Sequence, residues 1–350
     1  MYASMHEGHF LYEEVMIIFR ADGNDKIGAG HVMRCLNMAE QYIDEGIEVL
    51  FLTADDSFSQ RITEAGCGHI ILNSEYDNMI EEIGQIESIV DEYNPTMFIV
   101  DSYFVTDEYM LRVKRVCNDK GCKLTYIDDV LAFAYPCDIL INYNIYGPDC
   151  KSEYKKIYSG ANVVLPELKL GLEYLPLRKE YRNIPPRKEK GEIKDVFIST
   201  GGADTEHIGL ALLKYIKRDS ILDKYNFHFV IGAVNTDKEK IEKIAKEQSN
   251  IITYYDLISL KDLMLKCDVA ISAAGSTLYE LYATHTPTVT YIVADNQIRG
   301  ARGFEKAKLM KCCGDIRELG AEVLAERLLE EVLSSKFNGL AIKKNGGMNI

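Results

Sequence analysis

The sequence predicts an α/β protein built as two doubly wound, Rossmann-like domains facing across a cleft. Three observations carry that reading. Apolar, β-branched runs alternate with amphipathic helical patterns along most of the 350 residues. The alternation stops once, in a basic stretch rich in proline, and then restarts. In both halves an apolar run breaks into glycine and opens a helix, the pattern of a ligand-binding βα turn.

Taken in order, the first half predicts strands at 15–19, 47–52, 69–72, 97–100, 123–127 and 138–142. Helical patterns at 31–45, 57–65, 77–93 and 106–119 lie between them. Helices of that length between strands imply βαβ units and a parallel sheet covered on both faces. Strand ends then share one edge, where such sheets bind ligands. The polar residues expected there are Arg20, Asp22, Asp101, Tyr103, Asp128, Asp129, Asn142 and Asn144. Residues 166–193 contain four prolines and read as a linker between domain 16–165 and domain 194–335. The second half predicts strands at 195–199, 226–231, 251–254, 268–272 and 288–293. Its helical patterns fall at 205–217, 236–248, 259–266, 276–284, 297–310 and 320–334. Residues 1–15 lack a basic start and a long apolar core, so they read as a flexible extension, and 336–350 as a frayed tail.

Composition narrows the function classes. A formal charge of −14 argues against a nucleic-acid partner, while leaving room for a small nucleotide in a local electropositive pocket. No apolar run approaches the roughly 18 residues of a membrane span, so no membrane insertion is expected. The nine cysteines lack zinc-site spacing and read as reduced thiols of a cytoplasmic protein. Asp128 and Asp129 raise the thought of a metal pair, but no further ligands stand at useful spacing. No metal and no cofactor are expected, and no protein partner is indicated.

Four motifs carry the chemistry. RADGNDKIGAGHVMR at 20–34 follows the first strand; Gly28 and Gly30 allow a close backbone approach at a helix start, and His31 stands there as a proton acceptor. Asp22 is one candidate to orient the imidazole, with a salt bridge to Arg20 or Arg34 as its alternative. STGGAD at 199–204 brings Gly201 and Gly202 to the second domain's first βα turn, either to meet a diphosphate or as a tight turn. AAGSTLYEL at 273–281 places Gly275, Ser276 and Thr277 at another helix start. Glu280 lies one turn on, where it would accept from ribose hydroxyls or close a capping box with Thr277. ADNQ at 294–297 aims Asn296 and Gln297 at sugar hydroxyls or acetamido groups, or caps a helix.

Together with VDSY at 100–103 and GLEYLPLRKEY at 171–181, these motifs resemble the UDP-2,4-diacetamido-2,4,6-trideoxy-β-L-altropyranose hydrolases of pseudaminic acid biosynthesis. They also resemble the related spore-coat polysaccharide proteins. The likeness runs in a single order from about residue 16 to 310, and its second half is similar to the lipid II-forming N-acetylglucosaminyltransferase. It implies the glycosyltransferase B type of fold. It further implies His31 as the catalytic proton acceptor, Tyr103 and Asn296 beside the reacting sugar and water, and Arg178 near the nucleotide. By analogy with that fold, the backbone at Tyr255 meets the uracil, Glu280 the ribose, and the amides of Gly275–Thr277 the phosphates. Ser102 stands where the family often has histidine, so no chemistry is expected of it.

The activity implied is metal-independent hydrolysis: water attacks the anomeric carbon and UDP departs. The rival reading is a UDP-sugar-dependent glycosyltransferase of surface or spore-coat polysaccharide synthesis. A hydrolysing epimerase and an inert UDP-sugar sensor are further alternatives. The stereochemistry of the sugar and the oligomeric state are not encoded in any motif.

Overall fold

A computed structural model describes residues 15–187, 192–255, 257 and 259–334. Most of the predicted extension and the whole of the predicted tail lie outside the described residues. The chain divides into two compact units, Met1–Lys179 and Glu180–Ile350.

In the first unit the strands are β1 (Met16–Ala21), β2 (Glu48–Thr53), β3 (Gly68–Ile71), β4 (Met97–Asp101), β5 (Lys123–Ile127), β6 (Ile139–Asn142) and β7 (Glu167–Leu170). They form one sheet in the order β3-β2-β1-β4-β5-β6-β7, and every pairing is parallel. The helices are α1 (Gly30–Asp44), α2 (Ser59–Glu64), α3 (Ile83–Tyr93), α4 (Asp107–Asp119) and α5 (Lys151–Ser159). Strand pleating sends Ile17 and Phe19 of β1 into the core that includes Val32 and Leu36 of α1. Ile18 goes into the opposite core, with Ile86 of α3 and Val113 of α4. The sheet is therefore buried on both faces, as its apolar strands require.

The second unit repeats the plan with β8 (Asp195–Ser199), β9 (Asn226–Ile231), β10 (Ile251–Tyr255), β11 (Val269–Ala273), β12 (Thr288–Ile292) and β13 (Lys311–Asp315). Their order is β10-β9-β8-β11-β12-β13, again all parallel. Its helices are α6 (Ile208–Arg218), α7 (Lys238–Ala245), α8 (Lys261–Lys266), α9 (Thr277–Ala283), α10 (Asp295–Lys306), α11 (Ile316–Leu319) and α12 (Ala321–Val332). Both sheets reverse direction at their first strand, between β1 and β4 and between β8 and β11. Such switch points open a crevice beyond the strand ends, the place where sheets of this kind bind ligands.

Three differences from expectation have local causes. Part of the 166–193 stretch is not linker: β7 adds a seventh strand, and the units divide after Lys179. β13 escapes a hydrophobicity search because its sequence is Lys-Cys-Cys-Gly-Asp, with Gly314 at φ +127° and a register shift opposite. The helix expected over 77–93 begins as a 3₁₀ turn, Met79–Glu82.

That turn matters because Glu82 is wholly buried. Its two oxygens take both Nε and Nη2 of the fully buried Arg20 at 2.8 Å. Tyr109 of α4 donates to Glu82 at 2.8 Å and Ser74 at 3.0 Å. Arg20 also donates to Asp22 at 2.6 Å, so one guanidinium ties β1 to the helix layer and to the loop beyond it. Removing one partner of a buried pair leaves a bare charge in the core and costs about 3–5 kcal/mol. Glu82→Ala should lower the stability of the first unit by about that amount in urea unfolding, and a loss under about 1 kcal/mol contradicts the assignment.

Candidate active site

In the first unit the loop after β1 is shaped by Asn24. Its backbone exchanges hydrogen bonds with Gly28, and its side-chain oxygen accepts from Lys26 and Ile27 N–H at 3.0 and 3.2 Å. Gly28 serves this turn with φ +74°. The amides of residues 26–28 are thus spent inside the loop and do not form a cradle. What the motif leaves toward a ligand is the first turn of α1, where the Ala29 cap places no side chain on the leading amides. Gly30 is exposed, and a Cβ built there meets nothing within 4 Å.

His31 is the second residue of α1 and is 7% exposed. Asp101 closes β4 directly beside Ala21 in the β1–β4 register. Its carboxylate lies 2.7 Å from His31 Nδ1 and is fully buried. Arg34, one turn along α1 on the same face, grips both Asp101 oxygens through Nε and Nη2. Burial alone would raise this carboxyl; the Arg34 charge and the hydrogen bonds from Arg34 and His31 prevail and hold it at about 2, below the ordinary 3.8. The stability it contributes is present above the ordinary carboxylate range and is lost as pH falls from about 4 toward 2.

An ionised carboxylate has no proton to give, so the proton in the 2.7 Å contact belongs to Nδ1. In a neutral ring the lone pair then sits on Nε2. Asp22, one candidate for this task, is engaged elsewhere: it pairs with Arg20 and accepts from Ala54 N–H at 2.7 Å.

Tyr103 stands against the imidazole edge-on, ring centres 4.4 Å apart and planes at 81°. Its hydroxyl donates to Asp129 at 2.9 Å, and the residue as a whole is 53% exposed. Burial of the hydroxyl and the Asp129 charge push this phenol well up, so it stays protonated. Asp128 and Asp129 turn to different partners. Asp128 accepts from Tyr154 and from Val130 and Leu131 N–H, whereas Asp129 takes Tyr103 and Arg34. Arg178 is half-buried in the segment that packs on α1, where Asn37 donates to Pro176 O at 3.1 Å and Lys179 N–H to Glu40 at 2.7 Å.

The remaining sequence candidates lie in the second unit. Gly201 and Gly202 press their carbonyls on Gly232, where a Cβ would fall 2.5 and 2.2 Å from them. The packing reason for glycine thus belongs to Gly232; a Cβ at Gly201 or Gly202 meets nothing within 4 Å, and Gly201 serves the turn with φ +85°. Asp204 accepts from Ile208 and Gly209 N–H at 3.0 and 2.9 Å, filling the start of α6 with the chain's own carboxylate. Burial lifts Asp204 to about 6 against those amide hydrogen bonds. At Gly275 too a Cβ meets nothing within 4 Å, and φ there is not positive, unlike that of Gly201. The cap of α9 falls on exposed Ser276, one residue before Thr277, and no side chain caps it. Glu280 is half-buried one turn on. Gln297 accepts from Val293 N–H at 3.0 Å and so braces the entry to α10, leaving Asn296 exposed beside it. Tyr255 ends β10 with its hydroxyl buried and without a hydrogen-bond partner among the described residues, and Lys238 Nζ lies 4.4 Å from its ring centre.

No protein-family model matches the sequence. A UDP-2,4-diacetamido-2,4,6-trideoxy-β-L-altropyranose hydrolase from Campylobacter jejuni is 26% identical over 267 residues, 75% of this chain and 86% of that protein. The chain is similar to these hydrolases over most of its length. A Helicobacter pylori protein named as pseudaminic acid cytidylyltransferase and the same hydrolase is 26% identical, the match covering 71% of this chain and 46% of that one. A spore coat polysaccharide biosynthesis protein from Bacillus subtilis is 21% identical over 81% of this chain and 79% of its own length. Among solved structures, Acinetobacter baumannii MurG matches with TM-score 0.65 at 12% identity, and the kitacinnamycin glycotransferase with TM-score 0.62 at 11%, each over at least 93% of both chains. The fold is thus the glycosyltransferase B type, with two Rossmann-like domains.

Of the groups around His31, sequence reasoning missed the roles of Asp101 and Asp129, and it gave Arg34 only a possible tie to Asp22. The signal was present in the His-x-x-Arg spacing on one helix face, set against an aspartate closing the neighbouring strand. Neither Gly30 nor Gly275 has a positive φ or a crowded Cβ. Gly30→Ala and Gly275→Ala should therefore unfold within about 2 °C of the parent. A fall of more than about 5 °C would show that the chain itself needs glycine there.

Proposed function

We propose that this protein is a UDP-sugar hydrolase that cleaves the anomeric C–O bond of a UDP-linked diacetamido-trideoxyhexose in pseudaminic or related nonulosonic acid synthesis. The observation that carries the reading is the Asp101–His31 pair at the first unit's switch point, in a chain similar to hydrolases of that name. His31 Nε2 accepts a proton from water as the water oxygen bonds to the anomeric carbon. The bond to the diphosphate oxygen breaks, its electron pair leaves with UDP, and the freed sugar carries the inverted configuration. General-base help of this kind is worth roughly 10²–10⁴ in rate.

UDP leaves as an anion and needs charge compensation more than a proton. The second unit supplies the nucleotide-binding loops in this reading: the amides at Ser276 and Thr277 for the phosphates, Glu280 for the ribose and the backbone at Tyr255 for the uracil. The Gly275 amide already donates to Ala273 O at 2.8 Å. Tyr103 walls the imidazole, while Asn296 and the amide nitrogen of Gln297, whose oxygen is taken by Val293 N–H, address the sugar and Arg178 the nucleotide. Gly28 and Gly30 let α1 approach the ligand. Gly201, at φ +85°, and Gly202 turn their carbonyls onto Gly232 and contribute at most their backbone amides. All nine cysteines are unpaired, which supports a cytoplasmic location. Among the described residues no helix is long and apolar enough to cross a membrane.

The test follows UDP and free sugar by NMR from the UDP-diacetamido-trideoxyhexose with no acceptor added. The parent should release UDP with inversion, and His31→Asn should lose about 10²-fold or more in kcat while binding UDP as before. Retention of configuration, or UDP release only when an acceptor sugar is supplied, contradicts the proposal.

A further inference from the structure

Arg34 does more than pair with one carboxylate. Nε and Nη2 hold both oxygens of Asp101, and Nη1 reaches Asp129 Oδ2 and the Tyr143 hydroxyl, each at 3.0 Å. The same Asp129 oxygen takes the Tyr103 hydroxyl at 2.9 Å. Arg34 Nη2 also stands 3.0 Å from His31 Nδ1. One planar fork therefore spans the carboxylate that aims His31 and the carboxylate that anchors Tyr103. A lysine, with a single point of charge, has no such span.

We propose that Arg34 is the positioning residue of this site: it fixes His31 and Tyr103 relative to each other and offsets the Asp101 charge that would otherwise draw a proton onto the imidazole. The inference rests on the reading of His31 as the base. The groups around the ring come from four places. From α1 come Arg34 and the Cys35 thiol, which lies 3.5 Å from Asp101. From β4 and the residues after it come Asp101 and Tyr103. Asp129 follows β5, and Tyr143 follows β6. Burial keeps the Cys35 thiol and both phenols protonated, so among these groups the charges are Asp101, Asp129 and Arg34. Two carboxylates share one guanidinium, and its removal leaves them uncompensated.

The full chain is titrated by NMR, with the His31 ring signals identified by their loss in His31→Asn, for the parent, Arg34→Met, Arg34→Lys and Asp101→Asn. Arg34→Met should move the pH at which the ring takes its proton upward by about one to two units. The acid limb of UDP release should move with it. Arg34→Lys keeps the charge and should move it by less than about half a unit, while kcat falls about tenfold or more because the fork is gone. Asp101→Asn should move it downward. A folded Arg34→Met whose His31 titrates with the parent overturns the proposal. If that variant does not fold, an upward or absent shift in Asp101→Asn overturns it instead. The titration needs no substrate, so shifts as expected in a protein that releases no UDP support the Arg34 assignment and contradict the hydrolase reading.

Discussion

The Asp101 carboxylate is the contact on which the candidate site depends. It is wholly buried at the end of β4, a position that would ordinarily favour the neutral acid. The bidentate hold of Arg34 and the 2.7 Å contact to His31 reverse that preference. An ionised Asp101 dictates which imidazole nitrogen carries the proton, and that choice dictates which nitrogen is available as a base. The fold serves this contact. Parallel pairing of β1 with β4 sets Asp101 against Ala21, and the turn after β1 returns the chain as α1 with His31 and Arg34 one turn apart. A second buried network, Arg20 with Glu82 and Asp22, anchors the base of that returning loop.

The second unit shows how a glycine-rich turn acquires different meanings from its surroundings. Gly201 and Gly202 lie against Gly232, and Asp204 supplies the anion that the start of α6 invites. At Gly275 the amide turns back on Ala273 O, and the cap before α9 is left without a side-chain partner. The same strand-to-helix pattern is thus closed in one turn by the chain itself and left open in the other.

Much of the fold was legible because its signal is periodic. β-branched strands buried on both faces and helices with one apolar stripe determine the alternation, and the observed bounds of β1, β5 and β9 fall within two residues of expectation. β13 was not legible, since Lys311-Cys-Cys-Gly-Asp315 carries neither alternation nor branching and depends on β12 for its place. β7 was hidden by the prolines around it. At the site, His31 and Tyr103 could be named from their motifs, whereas the partnership of His31 with Asp101 spans 70 residues and arises only when β4 lies beside β1. The burial of Glu82 was hidden for a similar reason: its partner Arg20 lies 62 residues away, on β1.

A single proton decides whether His31 can serve as a base, and ¹⁵N NMR of the His31 ring in the full chain locates it most directly. Above the pH at which the ring is neutral, the nitrogen facing Asp101 should carry the hydrogen and Nε2 the lone pair. A neutral ring protonated on Nε2 would leave no base toward the ligand and would contradict the account.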